Sequence, residues 1–137
     1  MVDRELILRK LADLDQYLVQ VGEYRNISAP QYRDDWKTQR IVERTLQIAI
    51  ELCVDIANQI IADRGLRVPT TYAEVFEVLG EAGMLPPSHR DAMIRMSGFR
   101  NVIVHEYSRI DPALVVRVLH EQLDDFAQFK AAVLEWI

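Results

Sequence analysis

Residues 36–64 read WKTQRIVERTLQIAIELCVDIANQIIADR, a run with neither Gly nor Pro. An unbroken helix over this stretch is about 45 Å long at 1.5 Å per residue. Ile41, Ile48, Leu52, Ile56 and Ile60 recur at helical spacing, and Leu46, Ala49, Cys53 and Ala57 widen the stripe. A stripe this wide predicts contacts on more than one side of the rod. Arg40, Glu43, Arg44 and Gln47 give its first turns a polar face of mixed charge. Asp34 or Asp35, the latter just ahead of Trp36, is the expected N-cap, and Gly65 the expected stop.

The flanks extend the same pattern. Before the rod, Leu6, Ile7, Leu11, Leu14, Leu18 and Val21 predict a helix over 3–22, closed by Gly22 and the polar stretch to Pro30. After it, Thr71-Tyr72-Ala73-Glu74 is a capping-box pattern. It opens a short helix that Gly80 weakens and Gly83 ends. Pro86-Pro87-Ser88 resets the chain, and Ser88 with Asp91 starts a fourth helix carrying Met93, Ile94, Met96, Phe99, Val102 and Ile103. Gly98 weakens the continuity of that helix. Asp111-Pro112 is a cap followed by proline at the first helical position, and the last helix it opens runs through Leu114 to Trp136. The expectation is one domain over 1–137, all-α, an up-and-down bundle of four long helices and one short one.

Composition agrees. The chain has 137 residues, half of them hydrophobic and 27% charged, the profile of a globular protein with a real core. Five Gly and five Pro are few for this length, which disfavours an architecture of many short strands and turns. The lone Cys53 has no internal disulfide partner, and no Cys/His spacing matches a zinc site. Charges occupy the start, MVDRELILRK, where a signal peptide needs its apolar stretch. No uninterrupted apolar run approaches a membrane span. The expectation is a cytoplasmic, reduced protein without membrane association.

Most polar residues have plain explanations. His89 and His120 read as solvated or locally bonded, Met93 and Met96 as core filler, and the pairs Asp34-Asp35 and Asp124-Asp125 as solvent-facing. One stretch differs: Arg100-Asn101-Val102-Ile103-Val104-His105-Glu106-Tyr107, at the expected end of the fourth helix. On a continuous helix Arg100 and His105 lie about 140° apart, so they meet only if the helix ends or bends between them, or if a second copy contributes. A histidine titrates near neutrality and serves as general acid or base. An arginine stays charged and offers a planar fork to phosphate oxygens. Together the pair suits cleavage of RNA by its own 2′-hydroxyl without a metal or cofactor. Asn101 would orient His105 or donate to phosphate. The bland alternative is a helix-terminal histidine beside an arginine in a surface ion pair.

The stretch RNVIVHEY resembles the Arg-x4–6-His motif of the HEPN superfamily, in the Arg-x4-His-x-Tyr form of HepT-like toxins. ERTLQIAIELCVDIANQII is similar to that branch's second helix, and FRNVIVHEY to its fourth. The resemblance implies a helical bundle and a homodimer whose cleft unites both motif copies. It further implies a metal-independent ribonuclease with Arg100 and His105 as catalytic residues, toxic to the cell. A minimal nucleotidyltransferase antitoxin would control it by transferring AMP to Tyr107. An adenylyl group there adds bulk and negative charge where substrate phosphate must sit.

The net charge of −5 opposes nonspecific RNA affinity. Residues 89–109, however, set Arg90, Arg95, Arg100 and Arg109 against only Asp91 and Glu106, a local basic excess. The acidic balance falls in the last helix, with Glu121, Asp124, Asp125 and Glu135 against Arg117 and Lys130. The rival reading is a non-catalytic helical dimer, a nucleotide-binding or adaptor partner of a nucleotidyltransferase. A third is a purely structural dimer.

Overall fold

The computed structural model describes residues 3–137. Met1 and Val2, the first residues of the charged start, lie outside the described residues. Seven helices follow one another, and the described residues contain no strand: α1 (Arg4–Gly22), α2 (Ala29–Arg33), α3 (Trp36–Asp63), α4 (Tyr72–Glu81), α5 (Pro87–His105), α6 (Pro112–Arg117) and α7 (Leu123–Trp136). A 3-10 turn, Tyr107–Arg109, follows α5, and a π-helical segment, Val118–Gln122, joins α6 to α7. The all-α bundle is the expected fold.

The rod sits at the centre. Helices α1, α4 and α5 all pack on α3, and α7 closes against α1 and α5. Val42, Leu46, Ala49, Ile50, Cys53, Ile56, Ala57 and Ile60 carry its buried side. That row is turned from the one expected: Ile41 is 49% exposed, and Ile48 and Leu52 are only half-buried. The rod therefore keeps a second apolar row that its own bundle does not cover. Among the described residues α3 alone is long and apolar enough to cross a membrane, and 56% of that window is buried inside the bundle. Burial pushes the Cys53 thiol far up, so it stays protonated and inert in the core.

The ends follow cap chemistry. Asp35 accepts the Thr38 amide at 3.1 Å and its hydroxyl at 2.7 Å, opening α3 as expected. Gly65 (φ 63°) and Gly83 (φ 75°) take the left-handed region that ends α3 and α4. The amides of Leu66 and Met84 then reach back to the carbonyls of Ile61 and Leu79, both at 3.0 Å.

Four local expectations change. The stretch 29–33, read as part of a polar connection ending at Pro30, is a helix. Ser28 and Gln31 form a full capping box, and Pro30 sits in the first turn, where its missing N–H costs nothing. At Thr71 only half the box forms: the hydroxyl takes the Glu74 amide, while the Glu74 carboxylate turns to Thr70 and Arg67. Helix α5 opens at Pro87 without a side-chain cap, ahead of Ser88, and passes through Gly98 unbroken. The last helix is interrupted by its π-helical turn.

Candidate functional site

Arg100 leaves α5 toward the centre of the bundle. Its Nε and Nη2 groups both donate to Glu51 Oε1 on α3, at 3.0 and 2.9 Å. Its guanidinium lies over the Tyr72 ring of α4, 4.6 Å from the centroid. Gln47, one turn before Glu51, donates to the same carboxylate oxygen at 3.1 Å and steadies it. Arg100 is only 17% exposed, so this ion pair is partly withdrawn from water. One edge of the fork is thus taken by carboxylate and one face by an aromatic ring. Nη1 donates a long hydrogen bond to Asn101 Oδ1 at 3.4 Å and keeps its second N–H. A guanidinium carries five N–H donors, so the free edge keeps capacity for a second anion.

His105 is the last residue of α5. It is exposed, and its side chain makes no hydrogen bond or ion pair among the described residues. Glu106 ends the helix with φ −125° and ψ 33°. Tyr107 follows on the 3-10 turn with 74% of its surface open to solvent. The four expected residues thus lie on one helix end, but Arg100 and His105 do not meet within one chain. The helix ends after His105 and not between the two, so they stay about 140° apart on a continuous rod. The Asn101 side chain accepts from Arg100 and makes no hydrogen bond to the His105 ring, although the two residues are one turn apart on α5.

Glu51 and Tyr72 were missed by sequence reasoning. Glu51 had a visible signal, since it is an acid set between Ile50 and Leu52 in the most apolar part of the rod. Its partner stands 49 residues away, which no periodicity reveals.

The other histidines are tertiary features. His120 bonds the Ile27 carbonyl at 2.7 Å, tying the π-helical segment to the chain ahead of α2. His89 is buried, not solvated: its ring packs against Phe129 of α7 at 6.4 Å, and its Nε2 has no partner. Burial lowers its pKa, against the opposing pull of Asp125. Asp125 itself is half-buried, which raises its carboxyl above the usual range, whereas Asp34, Asp35 and Asp124 face solvent as expected.

The model of a family described as ribonuclease HepT-like matches residues 7–133. An mRNA nuclease HepT of Shewanella oneidensis is 29% identical over 125 residues, covering 91% of this chain and 93% of the relative. A tRNA nuclease HepT of Aphanizomenon flos-aquae is 30% identical over 125 residues, covering 91% of this chain and 85% of the relative. Among solved structures, a tri-AMPylated Shewanella oneidensis HEPN toxin in complex with its MNT antitoxin superposes with a TM-score of 0.88 at 28% identity. That match covers 98% of this chain and 99% of the toxin.

Proposed function

The chain belongs to the ribonuclease HepT-like family, and on that premise we propose that it is the toxin of a toxin–antitoxin pair, a metal-independent endoribonuclease of the cytoplasm that works as a homodimer. The holding of Arg100 carries the reading. Glu51 and Tyr72 fix one edge and one face of its guanidinium and leave the other edge open, which suits a group that meets phosphate oxygens in the transition state. A surface ion pair of no consequence would not need an aromatic face as well.

In the reaction, His105 of one copy takes the proton of a ribose 2′-hydroxyl. That oxygen attacks phosphorus, and the bond to the departing 5′-oxygen breaks. The second copy's histidine supplies the proton for the leaving oxygen, giving a 2′,3′-cyclic phosphate and a free 5′-hydroxyl. Arg100 donates to the nonbridging oxygens as charge grows on them. The partly uncovered row Ile41, Ile48 and Leu52, beside Glu51 on α3, supports a second copy approaching on that side. The open position of Tyr107 suits adenylylation. Its phenol oxygen attacks the α-phosphorus of ATP held by a nucleotidyltransferase antitoxin, the phenol proton is lost and pyrophosphate leaves. Tri-AMPylation of the Shewanella toxin supports this control.

Purified protein should cut RNA in the presence of EDTA. His105→Ala should lose that activity by about 10²–10⁴-fold with an unchanged melting curve. In the same preparation, antitoxin plus ATP should add AMP mass to the wild type and none to Tyr107→Phe. Equal cleavage by the His105→Ala protein would reject the catalytic assignment, and an AMP adduct on the Phe variant would reject the control site.

A further inference from the structure

A groove of about 280 Å³ runs between the second half of α5 and the α6–π junction. Its floor is apolar, made by Phe99, Val102, Leu114 and Val118, and two guanidinium groups, Arg95 and Arg117, stand at its edges. We propose that this groove is a nucleotide subsite of the RNA substrate, taking one unstacked base on its floor while Arg95 and Arg117 hold the flanking phosphates. The proposal rests on the ribonuclease reading above and adds to it where the strand lies outside the scissile bond.

Three observations converge. The first is charge. Arg25, Arg40, Arg67, Arg90 and Arg100 all spend their guanidinium groups on carboxylates of this chain. The side chains of Arg95 and Arg117 make no hydrogen bond or ion pair among the described residues; Arg9, Arg44 and Arg109 are also unpaired, but none of them lines this groove. Asp125 is near enough to Arg95 to feel its charge, yet forms no ion pair with it. Two unspent cations on one small groove favour an anionic occupant. The second is position. Arg95, Phe99 and Val102 follow one another at spacings of four and three along α5, and three further residues bring the same strip to His105. A nucleotide lying in the groove therefore leads its backbone toward the proposed acid/base. Arg100 occupies the other side of the helix. The third is the backbone. Val118 and Gln122 both belong to the π-helical segment, an irregularity that helices seldom carry and that concentrates at functional sites. It brings the Gln122 amide, with both donor and acceptor atoms, to the lining, where it can meet the edge of a base. The volume is close to the lower bound of about 300 Å³ for small-ligand pockets, the scale of one nucleotide unit.

The test separates binding from chemistry. In the full-length His105→Ala background, a short fluorescein-labelled single-stranded RNA is titrated by anisotropy over a range of salt concentrations. Adding Arg95→Gln and Arg117→Gln should weaken binding roughly 10-fold and flatten the salt dependence by about 1.4, the slope expected for two lost phosphate contacts on a single strand. A control with Arg9→Gln and Lys37→Gln, the same change in net charge placed on α1 and α3, should leave the slope in place. Circular dichroism checks that both proteins are folded. In the wild-type background the groove variant should raise KM with little change in kcat. Affinity and slope equal to the parent's, in a protein whose wild type cuts RNA, overturn the groove and leave the ribonuclease reading standing. A wild type that neither binds nor cuts RNA overturns both.

Discussion

Arg100 is the residue on which the proposed chemistry rests. A guanidinium bound by Glu51 alone would be neutralised and partly buried; bound by nothing it would sample many rotamers. The Glu51–Tyr72 clamp leaves it a fixed direction and a free edge. A positioning role acts on the transition state more than on substrate binding, so Glu51→Ala should lower kcat roughly 10²-fold with KM nearly unchanged. Glu51→Gln keeps an acceptor oxygen for the Arg100 fork and should recover much of the rate. Steady-state kinetics on the three proteins decides it. A rise in KM without loss of kcat, or no rescue by glutamine, contradicts the positioning role. At this scale the sequence was only half legible. The Arg-x4-His-x-Tyr spacing is local and marks its own residues, whereas the clamp joins positions on α3, α4 and α5 that only packing brings together.

Among the elements, α3 and α5 were readable because their patterns are long and their ends carry strong chemistry: Asp35, Gly65 and the proline pair that opens α5. Helix α2 and the π-helical turn were not. Proline at a first turn and proline in a loop look alike in sequence, and one extra residue in a helix leaves the apolar pattern of its neighbours nearly intact. The rod's buried row was misplaced by a fraction of a turn for a related reason: it is apolar on two sides, so periodicity alone does not say which side meets the bundle. The α5–α7 interface carries the clearest pH dependence. His89 is buried there with its pKa below the unfolded value of about 6.5, so below that pH the unfolded chain binds a proton that the folded one resists. Stability therefore falls as pH drops from 6.5 toward the folded value, and stops falling beyond it. Asp125, facing His89, has the opposite sense: its raised pKa lets the folded state bind a proton first, which adds stability as acid conditions deepen. Melting curves taken from about pH 7 to about pH 5 should show Tm dropping by a few degrees in the wild type and less in His89→Phe. Parallel curves for the two proteins would remove His89 as the cause.

At the scale of the whole molecule, the fold class followed from the uninterrupted rod and the scarcity of turn residues, while assembly did not follow from them at all. One chain holds Arg100 and His105 on different faces of a continuous helix, and leaves Ile41, Ile48 and Leu52 partly bare beside Glu51. The proposed twofold pair would answer both, since an isologous contact would bury the same row twice and carry one copy's arginine toward the other's histidine. On the ribonuclease reading, an acidic protein of net charge −5 with two unpaired arginines on one groove of α5 would bind a strand there and bind RNA in general poorly. The most direct test mixes two inactive proteins. Arg100→Ala and His105→Ala, each unable to cut RNA alone, are unfolded and refolded together so that their chains exchange. Cleavage should rise clearly above that of either component while staying well below half the wild-type rate, because half the dimers are mixed and each mixed dimer brings one Arg100 to one His105 but lacks the second histidine of the proton transfer. A mixture as inactive as its two components, with chain exchange verified by native mass spectrometry, would contradict a catalytic centre shared between two copies.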